Sequence, residues 1–254
     1  MKFSTNSTMT KILDELFSTY SERVPNVRKI TSKMVKNGMV KDQNEIINDH
    51  VAFRTMGVKN LGINSFEKIF LAHGYEKRDF FHFKVKKLDA YWYAPPTPDL
   101  PRIFISELKV DLLSKKVRKI IRKYTDSVIS DPVDQINLND AEAVSRFFQN
   151  TFWELPSIED YEALLAESEY AAWVIYNRYY LNHYTISVHD LPDAYCSLER
   201  FNEFLKSIGI VLNSSGGEIK ISKDKLLRQS SSVANKIIAN FSGNETREIA
   251  GSYV

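Results

Sequence analysis

The sequence predicts an α+β protein built from two βαβββ halves whose curved sheet surrounds a cleft, with helices at the N-terminus and in the middle of the chain. Three observations lead there. The order strand, helix, strand, strand, strand is read twice, once over 49–111 and once over 182–254. The stretch between them, 112–181, carries apolar residues at helical spacing. Each half also opens on a β-patterned segment led by a histidine that follows Asp or Asn: Asp49-His50-Val51-Ala52-Phe53-Arg54-Thr55 and Asn182-His183-Tyr184-Thr185-Ile186-Ser187-Val188. With all 254 residues in one continuous pattern, we expect a single domain.

The elements follow in order. Met9 to Arg23 reads as an amphipathic helix with Ile12, Leu13, Leu16, Phe17 and Tyr20 on one face, ended near Pro25; Val27 to Asn37 reads as a second, stopped by Gly38. These form the N-terminal helical segment, 9–37. The first half then has a strand at His50–Met56, a helix at Asn64–His73 closed by Gly74, and strands at Phe80–Val85, Asp89–Tyr93 and Arg102–Val110, the last two separated by Pro95-Pro96-Thr97-Pro98. Helices are predicted at Ser114–Tyr124, at Asp140–Phe152 with Asn139 as its cap, and at Ile158–Tyr180, where Ser157 and Asp160 resemble a capping box. The second half predicts a strand at His183–Val188, a helix at Leu198–Ile208 ended by Gly209, and strands at Glu218–Ser222, Leu226–Ala234 and Glu248–Val254.

Composition removes several function classes. A formal net charge of +2 is too small to argue for nucleic acid or an anionic membrane. The basic run Lys115-Lys116-Val117-Arg118-Lys119 recurs at helical spacing, so it reads as a solvated helix face. Cys196 stands alone, which excludes an internal disulfide and cysteine-rich metal sites. Met1 to Thr10 lacks an apolar leader core, and no apolar run approaches the ~20 residues of a membrane helix. We therefore expect a cytoplasmic protein, without a nucleic-acid or membrane partner. No G-x-S-x-G elbow, P-loop or G-x-G-x-x-G is present.

What remains is histidine and carboxylate chemistry. Neutral imidazole is the commonest protein ligand for a transition metal, and His50 and His183 could meet at one site. Two histidines and one carboxylate with open positions suit non-haem Fe(II) oxygen chemistry. Two glutamates compete for the carboxylate: Glu107, inside the apolar strand Phe104-Ile105-Ser106-Glu107-Leu108, and Glu218, after Gly216-Gly217. Arg54, four residues after His50, lies on the same strand face, roughly 13 Å along, where it could clamp a substrate carboxylate or form a structural ion pair. Of the other histidines, His73 sits at a helix end, His189 in a turn, and His82 on a strand where it could face the cleft.

Four motifs in order resemble the 2-oxoadipate dioxygenase/decarboxylase (hydroxyglutarate synthase) family, formerly a domain of unknown function: Asp-His-x-x-x-Arg-Thr at 49–55, Phe-Ile-Ser-Glu-Leu at 104–108, Asn-His-Tyr-Thr at 182–185, and Gly-Glu-Ile-Lys with Leu-Arg-Gln-Ser-Ser-Ser inside 217–232. The resemblance implies a vicinal-oxygen-chelate-like fold and an Fe(II) enzyme that converts 2-oxoadipate and dioxygen to 2-hydroxyglutarate and carbon dioxide in lysine catabolism. It implies His50, His183 and Glu218 as metal ligands that also contact substrate, Arg54 as the substrate-carboxylate arginine, and Glu107 as a catalytic residue near the metal. Relatives continue past a segment like Gly251-Ser252-Tyr253-Val254 into Glu-Phe, which offers a further carboxylate for the metal. The rival expectations are another divalent-metal enzyme, a hydrolase or isomerase on the same scaffold, and a non-catalytic binding module.

Overall fold

A computed structural model describes residues 6–222, 225 and 227–254. The expected α+β class and curved sheet are present. The first half assembles around a five-stranded sheet in the order β2-β3-β4-β1-β5. Its strands are β1 (Asn48–Met56), β2 (Glu76–Phe83), β3 (Leu88–Ala94), β4 (Arg102–Leu108) and β5 (His183–Ile186). β2, β3 and β4 form an antiparallel meander, and β1 joins β4 in parallel. The helix that makes this parallel return possible is α3 (Ile63–Leu71), directly after β1. β5 pairs antiparallel with the other edge of β1, with Ala52 opposite His183.

Alternation divides this sheet into two unlike faces. Val51, Phe53 and Thr55 of β1 share one face with Ile103, Ile105 and Glu107 of β4, their register partners. Three helices bury that face: α1 (Thr8–Arg23), α3 and α5 (Ala141–Gln149). The Phe53 ring meets Phe66 and Phe70 of α3 at 4.9 and 5.6 Å between centroids, and Phe148 of α5 at 5.3 Å. Phe17 of α1 reaches the same core edge-on against Tyr184. The other face carries His50, Ala52 and Arg54. It is covered near Arg54 by α7 (Glu169–Asn177), whose Tyr170 hydroxyl donates to the Ser106 carbonyl and accepts from the Thr55 amide.

Three sequence expectations are corrected. The helix predicted over Ile158–Tyr180 is two, α6 (Ile158–Glu167) and α7, because Ser168 takes an extended conformation (φ −150°, ψ 103°) and its side chain caps α7 at the Ala171 amide. α5 is capped by Asp140, which accepts from the Glu142 and Ala143 amides, and not by Asn139. The second half keeps its strand and its helix α8 (Leu198–Ser207), but its later strands do not extend the main sheet. The strand predicted at Glu218–Ser222 shrinks to β6 (Lys220–Ile221), which pairs with β7 (Arg228–Gln229) inside the predicted Leu226–Ala234; Leu226 itself lies outside the described residues. β8 (Lys236–Asn240), which the sequence reading missed, pairs with β9 (Thr246–Ala250). Past β9 the chain returns to the site: Tyr253 forms a parallel bridge with His183. The remaining helices are α2 (Pro25–Lys36), which packs with α8 in a second, smaller core, and α4 (Lys115–Thr125).

Candidate metal centre and carboxylate anchor

The two predicted histidines meet, though not across a cleft between separate halves. β1 and β5 are neighbours in one sheet, and their antiparallel register sets His183 beside Ala52, a diagonal step from His50 on the same face. The imidazoles approach edge-on, with ring planes at 83° and Nε2 atoms 3.4 Å apart.

Both rings are held from behind. His50 Nδ1 lies 2.8 Å from Asp49 Oδ2, and His183 Nδ1 lies 3.0 Å from Asn182 Oδ1. Consecutive strand residues ordinarily face opposite ways. The register irregularity between Asn48 and Val51 accompanies the turn of Asp49 toward its neighbour's ring. Arg102, the register partner of His50 on β4, donates to the other oxygen of Asp49 at 2.8 Å. The Asp49 carboxyl is accordingly held below its usual range, chiefly by the bond to His50, with help from Arg102.

The oxygen beside each Nδ1 favours the tautomers that carry the proton there, which turns the two Nε2 lone pairs toward each other. A hydroxyl can serve one of them: Thr185 Oγ1 is 3.2 Å from His50 Nε2. Desolvation, followed by the charges of His50 and Arg54, pushes His183 down to about 3, so its ring is neutral at physiological pH. Two imidazoles with facing Nε2 atoms and acceptor-bound outer nitrogens suit a shared metal ion. Bonds of ~2.1 Å to one ion place two nitrogens roughly 3.0 Å apart at a right angle and roughly 3.4 Å apart at the tetrahedral angle. The observed spacing falls in that range.

The third expected ligand does not join them. Glu218 follows Gly216 and Gly217, both at positive φ (75° and 96°), in a turn outside the main sheet; it pairs with Lys206 of α8 at 2.7 Å. Glu107 is also corrected. It stands on the opposite sheet face, where its Oε2 accepts the Ile63 amide at 2.8 Å at the start of α3. Gly62 makes room for it: a Cβ there would lie 2.2 Å from Glu107 Oε2. Glu107 therefore holds a helix N-terminus and does not approach the histidines. Among the described residues no three histidine, cysteine, aspartate or glutamate side chains form a metal-binding group.

Arg54 is where the strand period places it, on the histidine face, and it already has an anionic partner. Its Nη1 donates to Glu169 at 3.1 and 3.3 Å. Three rings surround the guanidinium, with Cζ 4.9 Å from the centre of Tyr170, 5.1 Å from Trp173 and 5.9 Å from Tyr253. His82 lies on the opposite face, in an ion pair with Asp89. His189 is exposed beside Ser187 and Asp190, and His73 is a half-buried helix-end residue. The sequence reading missed Asp49 and Asn182 as supports of the rings, although each directly precedes its histidine. It also missed Glu169, Tyr170, Trp173 and Tyr253, which no local pattern ties to Arg54.

Comparison with known proteins agrees with this architecture. The family model for 2-oxoadipate dioxygenase/decarboxylase matches residues 12–254. The chain is 38% identical over 264 aligned residues to a chloroplastic 2-oxoadipate dioxygenase/decarboxylase of Arabidopsis thaliana; the match takes in 100% of this chain and 68% of the relative. The crystal structure of the Oryza sativa hydroxyglutarate synthase in complex with 2-oxoadipate superimposes with a TM-score of 0.84 at 38% identity, covering 95% of this chain and 77% of that one. A glyoxalase-superfamily protein of Ralstonia eutropha shares the fold alone, with a TM-score of 0.75 at 21% identity over 94% of this chain and 78% of its own. The named curated relatives are plastid proteins, which overturns the cytoplasmic location expected from the sequence. No helix among the described residues is long and apolar enough to cross a membrane. The chain belongs to the 2-oxoadipate dioxygenase/decarboxylase family, an enzyme family whose dioxygenase chemistry calls for a metal.

Proposed function

We propose that this chain is an Fe(II)-dependent dioxygenase/decarboxylase of a 2-oxo dicarboxylic acid, of the type that turns 2-oxoadipate into 2-hydroxyglutarate in lysine catabolism. The observation that carries the reading is the pair of imidazoles with Nε2 atoms 3.4 Å apart on the same sheet face as a ring-enclosed arginine, in a chain of this family. The reaction balances: both atoms of dioxygen enter, one carbon leaves as carbon dioxide, and a six-carbon oxo diacid becomes a five-carbon hydroxy diacid.

His50 and His183 would hold the metal, which when bound supplies the activation of dioxygen and of the 2-oxo acid. Asp49 and Asn182 keep the ring protons on Nδ1, so that both Nε2 atoms stay available as donors. Arg54 binds the distal carboxylate, since a guanidinium offers paired N–H groups that match it. Tyr170, Trp173 and Tyr253 exclude water from that end of the cleft and strengthen the attraction there. The carboxylate is thereby fixed at one end and the reacting carbons at the other, which restricts the substrate to one orientation.

The test is oxygen uptake by protein loaded anaerobically with Fe(II) and mixed with 2-oxoadipate. One dioxygen consumed and one carbon dioxide released per 2-hydroxyglutarate formed is the expected result. Histidine donors alone do not select iron. Turnover of another substrate with Zn(II), without oxygen uptake, would overturn the reading in favour of a hydrolase or isomerase.

A further inference from the structure

Arg54 and Glu169 are unequal partners. Glu169 contacts Arg54 through one guanidinium nitrogen, Nη1, while both of its oxygens are used. The arginine side chain is 15% exposed and the glutamate 47%. The cation is fixed among three rings, whereas the anion lies at the rim. Glu169 is the first residue of α7, and its other hydrogen bond is a long one, 3.4 Å from the Tyr253 hydroxyl. Little besides Arg54 holds its carboxylate in place.

We propose that Glu169 sets the specificity of the carboxylate subsite: it clasps Arg54 between turnovers and gives way to the distal carboxylate of a dicarboxylic 2-oxo acid. This rests on Arg54 being the substrate anchor. An incoming carboxylate brings the same charge and the same pair of acceptor oxygens, so Arg54 exchanges one partner for an equivalent one. Glu169, once released, reaches water at small cost because half of it is already there. A substrate with a neutral or apolar tail offers Arg54 nothing in exchange and meets a filled subsite. Discrimination then comes from the resident anion as well as from the arginine, which is specificity by exclusion.

The probe is glutarate, a dicarboxylate without the 2-oxo group, titrated into metal-free protein and followed by calorimetry and by intrinsic tryptophan fluorescence, to which Trp173 contributes. Glu169→Gln should tighten glutarate by about threefold to fivefold, the scale on which an exposed ion pair competes. Butanamide, which carries no carboxylate, should gain nothing from the substitution. Arg54→Ala should remove glutarate binding, and in the Arg54→Ala background Glu169→Gln should have no effect. KM for 2-oxoadipate should fall in the Glu169→Gln single variant. A folded Glu169→Gln protein that binds glutarate no more tightly than the wild type overturns the proposal. If that variant does not fold, Glu169→Asp decides: its shorter stem loosens the clasp, so a smaller gain in the same direction is expected and no gain refutes it. Because glutarate binding needs neither metal nor turnover, an inactive wild-type enzyme would count against the proposed reaction and not against this one.

Discussion

Strand β1 presents two chemistries from one run of nine residues. Val51, Phe53 and Thr55 point into a core of aromatic rings, whereas His50, Ala52 and Arg54 lie on the other face, beside the carboxylates of Asp49 and Glu169. The difference lies in what covers each face. Three helices seal the first, where Thr55 and Glu107 have local duties: Thr55 Oγ1 donates to the Ser106 carbonyl, and Glu107 accepts the first amide of α3. One helix and the C-terminal turn cover the second only in part. There the polar groups converge on shared points, the two Nε2 atoms at one end and the Arg54 guanidinium at the other. A strand can thus hold polar groups in a fixed arrangement on one face because its reverse side is anchored in a packed core.

If this division holds, substitutions on the two faces should fail in different ways. The largest effect is expected from His183→Ala. Removing one of two facing donors should lower Fe(II) affinity and turnover by more than about a hundredfold, beyond what loss of a supporting group alone does. Thermal stability of the metal-free protein should change little, since no buried contact of the core is lost. Metal content by mass spectrometry, with melting curves alongside, checks both halves of the statement. A variant that unfolds but keeps its metal would break the comparison.

Phe53→Ala is the counterpart on the sealed face. Phe53 is fully buried among Phe66, Phe70 and Phe148, so truncation leaves a cavity and should cost about 3–5 kcal/mol. Denaturant titration measures the loss. The fraction that remains folded should still bind metal with wild-type stoichiometry, because neither histidine contacts the lost ring.

Legibility in the sequence followed the same line. Periods of two and of 3.6 residues report which side of an element is wet, so β1, β4, α1, α3 and the histidine pair could be read directly. Ser168 could not, because a single extended residue inside a helical pattern leaves the period almost unchanged. Glu218 was misplaced because Gly216 and Gly217 were read as the lead-in to a strand, while both adopt left-handed conformations and turn the chain away from the main sheet. Glu107 was misplaced for a different reason. A carboxylate in an apolar strand signals an unusual partner, and the sequence does not say whether that partner is a metal or a helix N-terminus. The partnership of Arg54 with Glu169 joins residues 115 positions apart, and no local pattern encodes it.

Asp49→Asn tests the support behind His50 and should have a smaller effect than loss of a histidine. The amide preserves shape but removes the charge that Arg102 and the His50 Nδ1 proton share. Metal affinity should fall roughly tenfold to a hundredfold with the fold retained, as is usual when a carboxylate behind a ligating imidazole is neutralised. Unchanged affinity would show that the strand backbone alone orients the ring.

The smallest effect, and the sharpest division between the faces, is expected at Glu107. Glu107→Gln keeps an oxygen near the Ile63 amide and fits beside Gly62, but it removes the negative charge from the start of α3. The cost should be about 1 kcal/mol of stability, the usual worth of a charge at a helix N-terminus in partly buried surroundings. Metal affinity should not change, because the side chain projects from the side of β4 opposite the histidines. The family-like position of this glutamate led the sequence reading to put it near the metal. If Glu107→Gln weakened Fe(II) binding tenfold while leaving stability intact, the two faces of the sheet would be coupled through β1, and the separation of core from site argued above would be lost.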